Sequence, residues 1–147
     1  MDCNIREASL NDLDGVFVLL EQLATSFTPD RRSFERCVDH LIHDGSAWLA
    51  VAEYDGEIVA YCLGFDHYAL YANGRVSWVE EITVKEDLRR KGIGRALMTA
   101  FEAWAQSRDS RLVALATRRA APFYRALEYE ESAVYFRKLL QCGGEYV

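Results

Sequence analysis

Seven consecutive residues concentrate the chemistry available to this chain: Arg89-Arg90-Lys91-Gly92-Ile93-Gly94-Arg95. Arg89, Arg90, Lys91 and Arg95 are cationic, and Gly92 and Gly94 leave the backbone bare, in a chain that is otherwise acidic. The loop lies between a segment that reads as a strand, ending at Val84, and one that reads as a helix. A helix start leaves backbone N–H groups without intrahelical partners and carries partial positive charge. Glycines let that backbone approach an anion closely. The expected ligand is a pyrophosphate. Two well-known phosphate loops are excluded. GxxxxGK[ST] is absent, and GxGxxG fails because Leu97 stands where its third glycine belongs. The loop also follows an antiparallel meander rather than opening a βαβ unit, which argues against a dinucleotide fold.

The elements that must position this loop are legible on either side. Ile5 sits in a short stretch with edge-strand character. Ser9 and Asp12 form a capping box, and Val16, Leu19, Leu20 and Leu23 follow at helical spacing. Pro29-Asp30 restarts the chain, and Phe34, Val38, Leu41 and Ile42 give a second amphipathic helix. Strands are then predicted over Trp48–Glu53, Ile58–Phe65 and Arg75–Val84, joined at Asp55-Gly56 and Asn73-Gly74. After the loop, Ile93, Leu97, Ala100, Phe101 and Trp104 share one helix face. Leu112–Ala116 reads as a strand covered on both faces. Pro122 opens a helix containing Phe123, Tyr124 and Leu127, and a last strand is predicted over Ala133–Leu140. The order β-α-α-β-β-β-α-β-α-β indicates an α/β fold, a mixed and mostly antiparallel twisted sheet with helices on both faces.

Composition bounds the function. A chain of 147 residues, half of it apolar, is one domain with a core of its own. A net charge of −6 makes it a poor partner for a nucleic-acid backbone and is compatible with a cationic small molecule. No apolar run is long enough to span a membrane. The opening MDCNIREASL has no signal-peptide character, and Cys3, Cys37, Cys62 and Cys142 are scattered without CxxC, so a reducing cytoplasm and buried, unpaired thiols are expected. No metal-ligand spacing is present. His40 and His43 lie at i, i+3 without a third ligand.

Val79-Glu80-Glu81-Ile82-Thr83-Val84 followed by Arg89-x-x-Gly92-x-Gly94 resembles the acetyl-CoA motif of the GNAT superfamily of N-acetyltransferases. Thr117-x-x-Ala120-x-x-Phe123-Tyr124 is similar to the family's N-x-x-A-x-x-F-Y block. The order of elements matches along essentially the whole chain. The resemblance implies the GNAT fold, with a sheet of six to seven strands and about four helices. Thr117 replaces the usual Asn, and Glu128 replaces the Gly before Tyr129. The turn at Glu128 is expected to differ in shape, because a side chain in the left-handed region costs about 1–2 kcal/mol.

By that resemblance the chain is an enzyme that transfers acetyl from acetyl-CoA to a primary amine by direct attack in a ternary complex. The amides of Arg90–Arg95 would hold the pyrophosphate, and the pantetheine arm would pair with the backbone of Ile82 and Val84, flanking Thr83. An N–H near Ile82 would polarise the thioester carbonyl. By the same resemblance Thr117 and Phe123 would belong to the co-substrate surface. Strand alternation puts Trp78, Glu80, Ile82 and Val84 on one face, and Val79, Glu81 and Thr83 on the other. Glu80 is then a carboxylate among apolar neighbours, a candidate base for the ammonium, with Glu81 in reserve. Either carboxylate could instead pair with an ion or read ligand charge. Tyr124 occupies the family's general-acid position. Asp66, His67, Tyr68 and Tyr71 are expected in an inter-strand loop that could receive an ammonium. Arg118, Arg119 and Arg125 are either 3′-phosphate contacts or solvated charges.

The Val79-Glu80-Glu81 run is similar to the diamine and polyamine acetyltransferase branch, and many relatives are homodimers, to which the tail 141–147 could contribute. Acetylation of a protein N-terminus or lysine, and a non-catalytic CoA-binding module, are the alternatives.

Overall fold

Two hairpin turns organise the centre of the protein. Asp55 and Gly56 take left-handed angles (φ +52° and +75°), the turn whose twist matches a hairpin. They join β2 (Ala47–Tyr54) to β3 (Glu57–Ala69). A 3-10 turn over Leu70–Ala72 and a left-handed Asn73 then return the chain into β4 (Gly74–Val84). The computed structural model describes residues 2–24 and 26–141. It divides into two compact units, residues 1–115 and 116–147.

In the first unit β1 (Asn4–Glu7) pairs with β2, and the sheet order is β1-β2-β3-β4-β5. All neighbours are antiparallel except β5 (Val113–Leu115), which runs parallel to β4. Parallel neighbours require a crossover, and α3 (Ile93–Ser107) supplies it. α1 (Leu13–Leu23) and α2 (Arg31–Ile42) precede the meander. The Ser9 N–H donates to Asp12 Oδ2 at 2.8 Å, so the predicted capping box is present and opens a 3-10 turn that leads straight into α1. Arg6 grips both oxygens of the buried Asp12 at 2.8 Å, tying β1 to that helix start. Asp30 caps α2 by accepting the Ser33 N–H at 2.9 Å.

Alternation along the strands divides the core between two sheet faces. Val16, Leu19, Phe34 and Val38 of α1 and α2 pack on Leu49, Val51, Tyr61 and Leu63. α3 covers the other face, where Phe101 meets Trp48 with ring centroids 5.6 Å apart. Burying a side chain such as Phe101 contributes about 1.5–3 kcal/mol. Helix and sheet approach tightly at Gly64, where a Cβ would fall 2.2 Å from Phe101 Cε1. The second unit contains α4 (Ala121–Ala126), with Pro122 in its first turn.

Five expectations are corrected. The described sheet has five strands rather than six to seven. Ala133–Leu140 is not a strand: its apolar side chains Val134, Phe136 and Leu140 are exposed, and β propensity gives a strand only when a pairing neighbour covers it. β5 is three half-buried residues, shorter than Leu112–Ala116 and not covered on both faces. β3 runs on to Ala69, so Asp66, His67 and Tyr68 lie in a strand and not in a loop. Among the described cysteines Cys62 is fully buried, Cys3 is half-buried and Cys37 is exposed; Cys142 and the tail from residue 142 lie outside the described residues.

Candidate active site

β4 is irregular at one position. Leu63 of β3 pairs with Glu81, but Gly64 pairs with Val79, so Glu80 is the extra residue of a β-bulge. Beyond the bulge Glu81 and Thr83 lie opposite Leu63 and Tyr61, on the side of α1 and α2. Before it, Trp78 lies opposite Phe65, and its Nε1–H donates to Glu80 Oε2 at 2.9 Å. Tyr61 donates its hydroxyl to Glu81 Oε1 at 2.7 Å. Glu80 and Glu81 therefore share the α1/α2 side. The strict alternation that set them on opposite faces is overturned by the one inserted residue. Val79 is buried and lies opposite Gly64, on the α3 side, away from Glu81. Glu80 is exposed rather than enclosed by apolar neighbours, and Glu81 is half-buried. Tyr61 is 2% exposed. Burial, reinforced by the Glu81 charge, pushes its pKa far above the usual phenol range, so it is a permanent donor.

The bulge also marks where β4 loses a neighbour. β5 accompanies β4 only from Ser77 to Val79. From Glu80 to Val84, β4 has β3 on one side and no paired strand on the other among the described residues. Lys85 N–H donates to Val59 C=O at 2.8 Å, and bonded positions alternate along an antiparallel pair. Ile82 and Val84 therefore turn their N–H and C=O groups outward, as the expected pantetheine pairing requires. The Val84 C=O is not vacant, however. It accepts Gln22 Nε2 at 3.0 Å and Arg89 Nε at 3.3 Å. Thr83 is buried and accepts Gln22 Nε2 at 3.2 Å, so its side chain faces α1 and not the open edge.

A 3-10 turn over Glu86–Leu88 carries the chain into the basic loop. Arg90 and Gly92 both take left-handed angles (φ +63° and +88°). Gly92 adopts its angle without strain, whereas Arg90 does so at a cost of about 1 kcal/mol. Ile93 is buried and pins the start of α3. The first intrahelical bond is Ala96 N–H to Gly92 C=O at 3.1 Å, so the amides of Ile93, Gly94 and Arg95 are the open donors of the first turn. Arg90, Lys91 and Arg95 are exposed and form no ion pair among the described residues of this unit. The loop thus presents amides and cations together, which is the chemistry a pyrophosphate needs.

In the second unit Thr117 Oγ1 accepts the Ala120 N–H at 3.0 Å and fixes the turn before α4. Tyr124 is buried, edge-on to Phe123 at 4.9 Å and to Tyr129 at 5.9 Å. Phe123 is partly exposed. Arg125 pairs with Glu131. Tyr129 N–H bonds Tyr124 C=O and Glu128 N–H bonds Arg125 C=O, both at 3.0 Å, a Schellman ending with Glu128 at φ +70°. The expectation of a reshaped turn is corrected: Glu128 adopts the left-handed conformation that glycine would take.

Of the residues expected to form an acceptor loop, Tyr71 lies exposed in the 3-10 turn between β3 and β4, whereas Asp66, His67 and Tyr68 belong to β3. Asp66 is buried and paired with Arg108, the residue that caps the end of α3, so its carboxylate is unavailable to an ammonium. His40 and His43 are exposed at the end of α2, and no group of three His, Cys, Asp or Glu side chains among the described residues is arranged to hold a metal. Sequence reasoning missed two residues. Tyr61 carried a signal, since alternation in β3 groups it with Leu63. Gln22, a polar residue on an amphipathic helix, carried none.

The sequence model of the acetyltransferase (GNAT) family matches residues 14–129. No curated relative matches by sequence. Among solved structures, a transcriptional regulator from Bacillus halodurans C-125 is 23% identical with a TM-score of 0.84, over 95% of this chain and 100% of that one. Glucosamine-6-phosphate N-acetyltransferase from Arabidopsis thaliana is 20% identical with a TM-score of 0.84, over 96% and 100%. Ribosomal-protein-alanine N-acetyltransferase from Brucella melitensis biovar Abortus 2308 is 26% identical with a TM-score of 0.73, over 97% and 100%. The family's co-substrate is acetyl-CoA, and its loop chemistry is the chemistry found between β4 and α3. The family match and the shared fold agree: this chain is an acyltransferase and belongs to the GNAT acetyltransferase family.

Proposed function

We propose that the chain transfers acetyl from acetyl-CoA to a primary amine of a small cationic, polyamine-like molecule by direct attack in a ternary complex. The observation that carries this reading is the bulge at Glu80. It sets two carboxylates side by side where the outward backbone of Ile82 and Val84 begins.

In this reading the amides of Ile93, Gly94 and Arg95, with Arg90 and Lys91, hold the pyrophosphate. The outward Ile82 N–H polarises the thioester carbonyl and stabilises the oxyanion as the amine adds. An alkyl ammonium has a pKa near 10, so it must lose a proton before it attacks. Glu80, exposed and steadied by the Trp78 indole, takes that proton through water. Glu81, anchored by Tyr61, supplies the second negative charge that recognises the cation. The C–S bond breaks as the amide forms, and Tyr124 protonates the departing thiolate.

Mass spectrometry of the chain with acetyl-CoA and a panel of polyamines, aminoglycosides, amino acids and short peptides tests the acceptor class. An acetylated polyamine is expected. Product only from peptides would transfer the reading to protein acetylation. The roles separate by kinetics. Glu80→Gln and Tyr124→Phe should each lower kcat by about 10²-fold or more, whereas Glu81→Gln should chiefly raise the acceptor KM. A wild-type pH profile in Glu80→Gln would remove Glu80 as the base.

A further inference from the structure

One exposed side chain joins three elements where the open edge of β4 runs into the pyrophosphate loop. Gln22 lies near the end of α1, a helix held by the buried Val16 and Leu19. Its Nε2 donates to Val84 C=O at 3.0 Å and to Thr83 Oγ1 at 3.2 Å. Its Oε1 accepts the Glu86 N–H at 3.2 Å. An amide side chain offers two N–H donors and one acceptor oxygen. Here the donors hold the last two residues of β4, and the acceptor holds the first residue of the turn that delivers Arg89–Gly94.

We infer that Gln22 is a positioning residue for the co-substrate, fixing the spacing between the outward Val84 backbone and the amides of Ile93–Arg95. The inference rests on the reading of that loop as the pyrophosphate site. One ligand must meet both groups at once, so their separation decides how well it fits. Nothing else described on α1 bonds to β4 and to the loop together. Val84 C=O has two lone pairs, and Gln22 and Arg89 engage both. The group that Val84 offers to a pantetheine amide is therefore its N–H. Because Gln22 is exposed and adds nothing to the core, its loss should disturb the site without unfolding the chain.

The test uses the whole chain, with CoA itself as the probe. Gln22→Met keeps the length and apolar stem and removes all three bonds. Gln22→Glu keeps an oxygen for the Glu86 N–H but loses both donors. Titration calorimetry should show the CoA Kd raised about fivefold to tenfold in Gln22→Met, the loss expected for one or two hydrogen bonds. The acetyl-CoA KM should rise in parallel, while the acceptor KM stays at its wild-type value and the melting temperature falls by only the few degrees that lost hydrogen bonds cost. Hydrogen exchange at the Glu86 amide should quicken in Gln22→Met and stay slow in Gln22→Glu. A CoA Kd in Gln22→Met within about twofold of wild type would overturn the positioning role alone. Wild-type protein that fails to bind CoA would instead overturn the reading of the loop, and this inference with it.

Discussion

Gly64→Ala is the substitution through which the fold most directly controls the site. Gly64 lies in β3 opposite Val79, the residue before the bulge. A methyl group there would stand 2.2 Å from Phe101 Cε1, 2.6 Å from Phe101 Cζ and 2.8 Å from the Trp78 carbonyl oxygen. Non-bonded carbons settle about 3.5–4.0 Å apart, so the ring would have to withdraw by more than about 1 Å. It has little room. Phe101 is fully buried between Trp48 at 5.6 Å and Trp104 at 5.5 Å. The Trp78 carbonyl belongs to β4 itself, so relief on that side shifts the strand that carries Glu80. Overpacking of this kind costs about 1–3 kcal/mol. Alanine's lower backbone entropy cost in a strand returns about 0.5–1 kcal/mol. The net loss is about 1–2 kcal/mol, which lowers the melting temperature of a chain this size by about 2–8 °C.

The assay is a double-mutant cycle. Gly64→Ala, Phe101→Leu and the double variant are melted by circular dichroism, and kcat is measured below all transitions. The contact model expects the two substitutions to couple favourably by about 1 kcal/mol, because a shorter side chain vacates the space the methyl needs. It also expects kcat of the double variant to stay below that of Phe101→Leu, since the 2.8 Å approach to Trp78 survives. A Gly64→Ala protein that melts within about 1 °C of wild type, or strictly additive losses, would refute the argument.

Three further outcomes follow from particular residues. Glu128→Gly should stabilise the chain by about 1 kcal/mol, read as a higher melting temperature, because glycine takes φ +70° without strain. Arg6, and after it the Ser9 amide, hold the Asp12 carboxyl below the usual carboxylate range. A depressed folded pKa gives stability that is present at neutral pH and lost as pH falls through that value. Asp12→Asn should accordingly be about 1–2 kcal/mol less stable at pH 7, and the difference should shrink on acidification below about pH 4 in urea melts. Burial pushes the Cys62 thiol up to about 12, whereas Cys37 is exposed. Iodoacetamide at pH 8 should label Cys37 in the native protein at least about a thousandfold faster than Cys62, with unfolding erasing the difference, as peptide mass spectrometry would show.

The features legible in the sequence were those set by near neighbours in the chain. The Ser9–Asp12 capping box, the Asp55-Gly56 turn and the helix start after Gly92 each depend on a few consecutive residues, and each is in place. Misplaced features depended on a distant partner. Val134, Tyr135 and Phe136 have the composition of a strand, but composition does not supply a neighbour. Asp66 reads as a loop acid, but it pairs with Ser77 in the sheet and its carboxylate is taken by Arg108, forty-two positions later in sequence. The facing of Glu80 and Glu81 was misplaced for the same reason, because alternation counts residues along one strand and a bulge is a property of two.

That point bears on how the two carboxylates differ. A regular β4 would send Glu80 and Glu81 to opposite faces, and one of them would be directed at Phe101 and the α3 core. An uncompensated carboxylate there costs several kcal/mol. The extra residue removes that conflict and gives each acid its own donor: a half-buried indole for Glu80 and a buried phenol for Glu81. Of these donors, Tyr61 is fixed by the core and the Glu81 carboxylate with it, whereas Glu80 remains open to solvent. Rigid placement suits recognition of a fixed charge, and solvent access suits a base that must pass its proton on. The division of labour proposed for the pair follows from where the bulge falls, and moving it by one residue would exchange the roles.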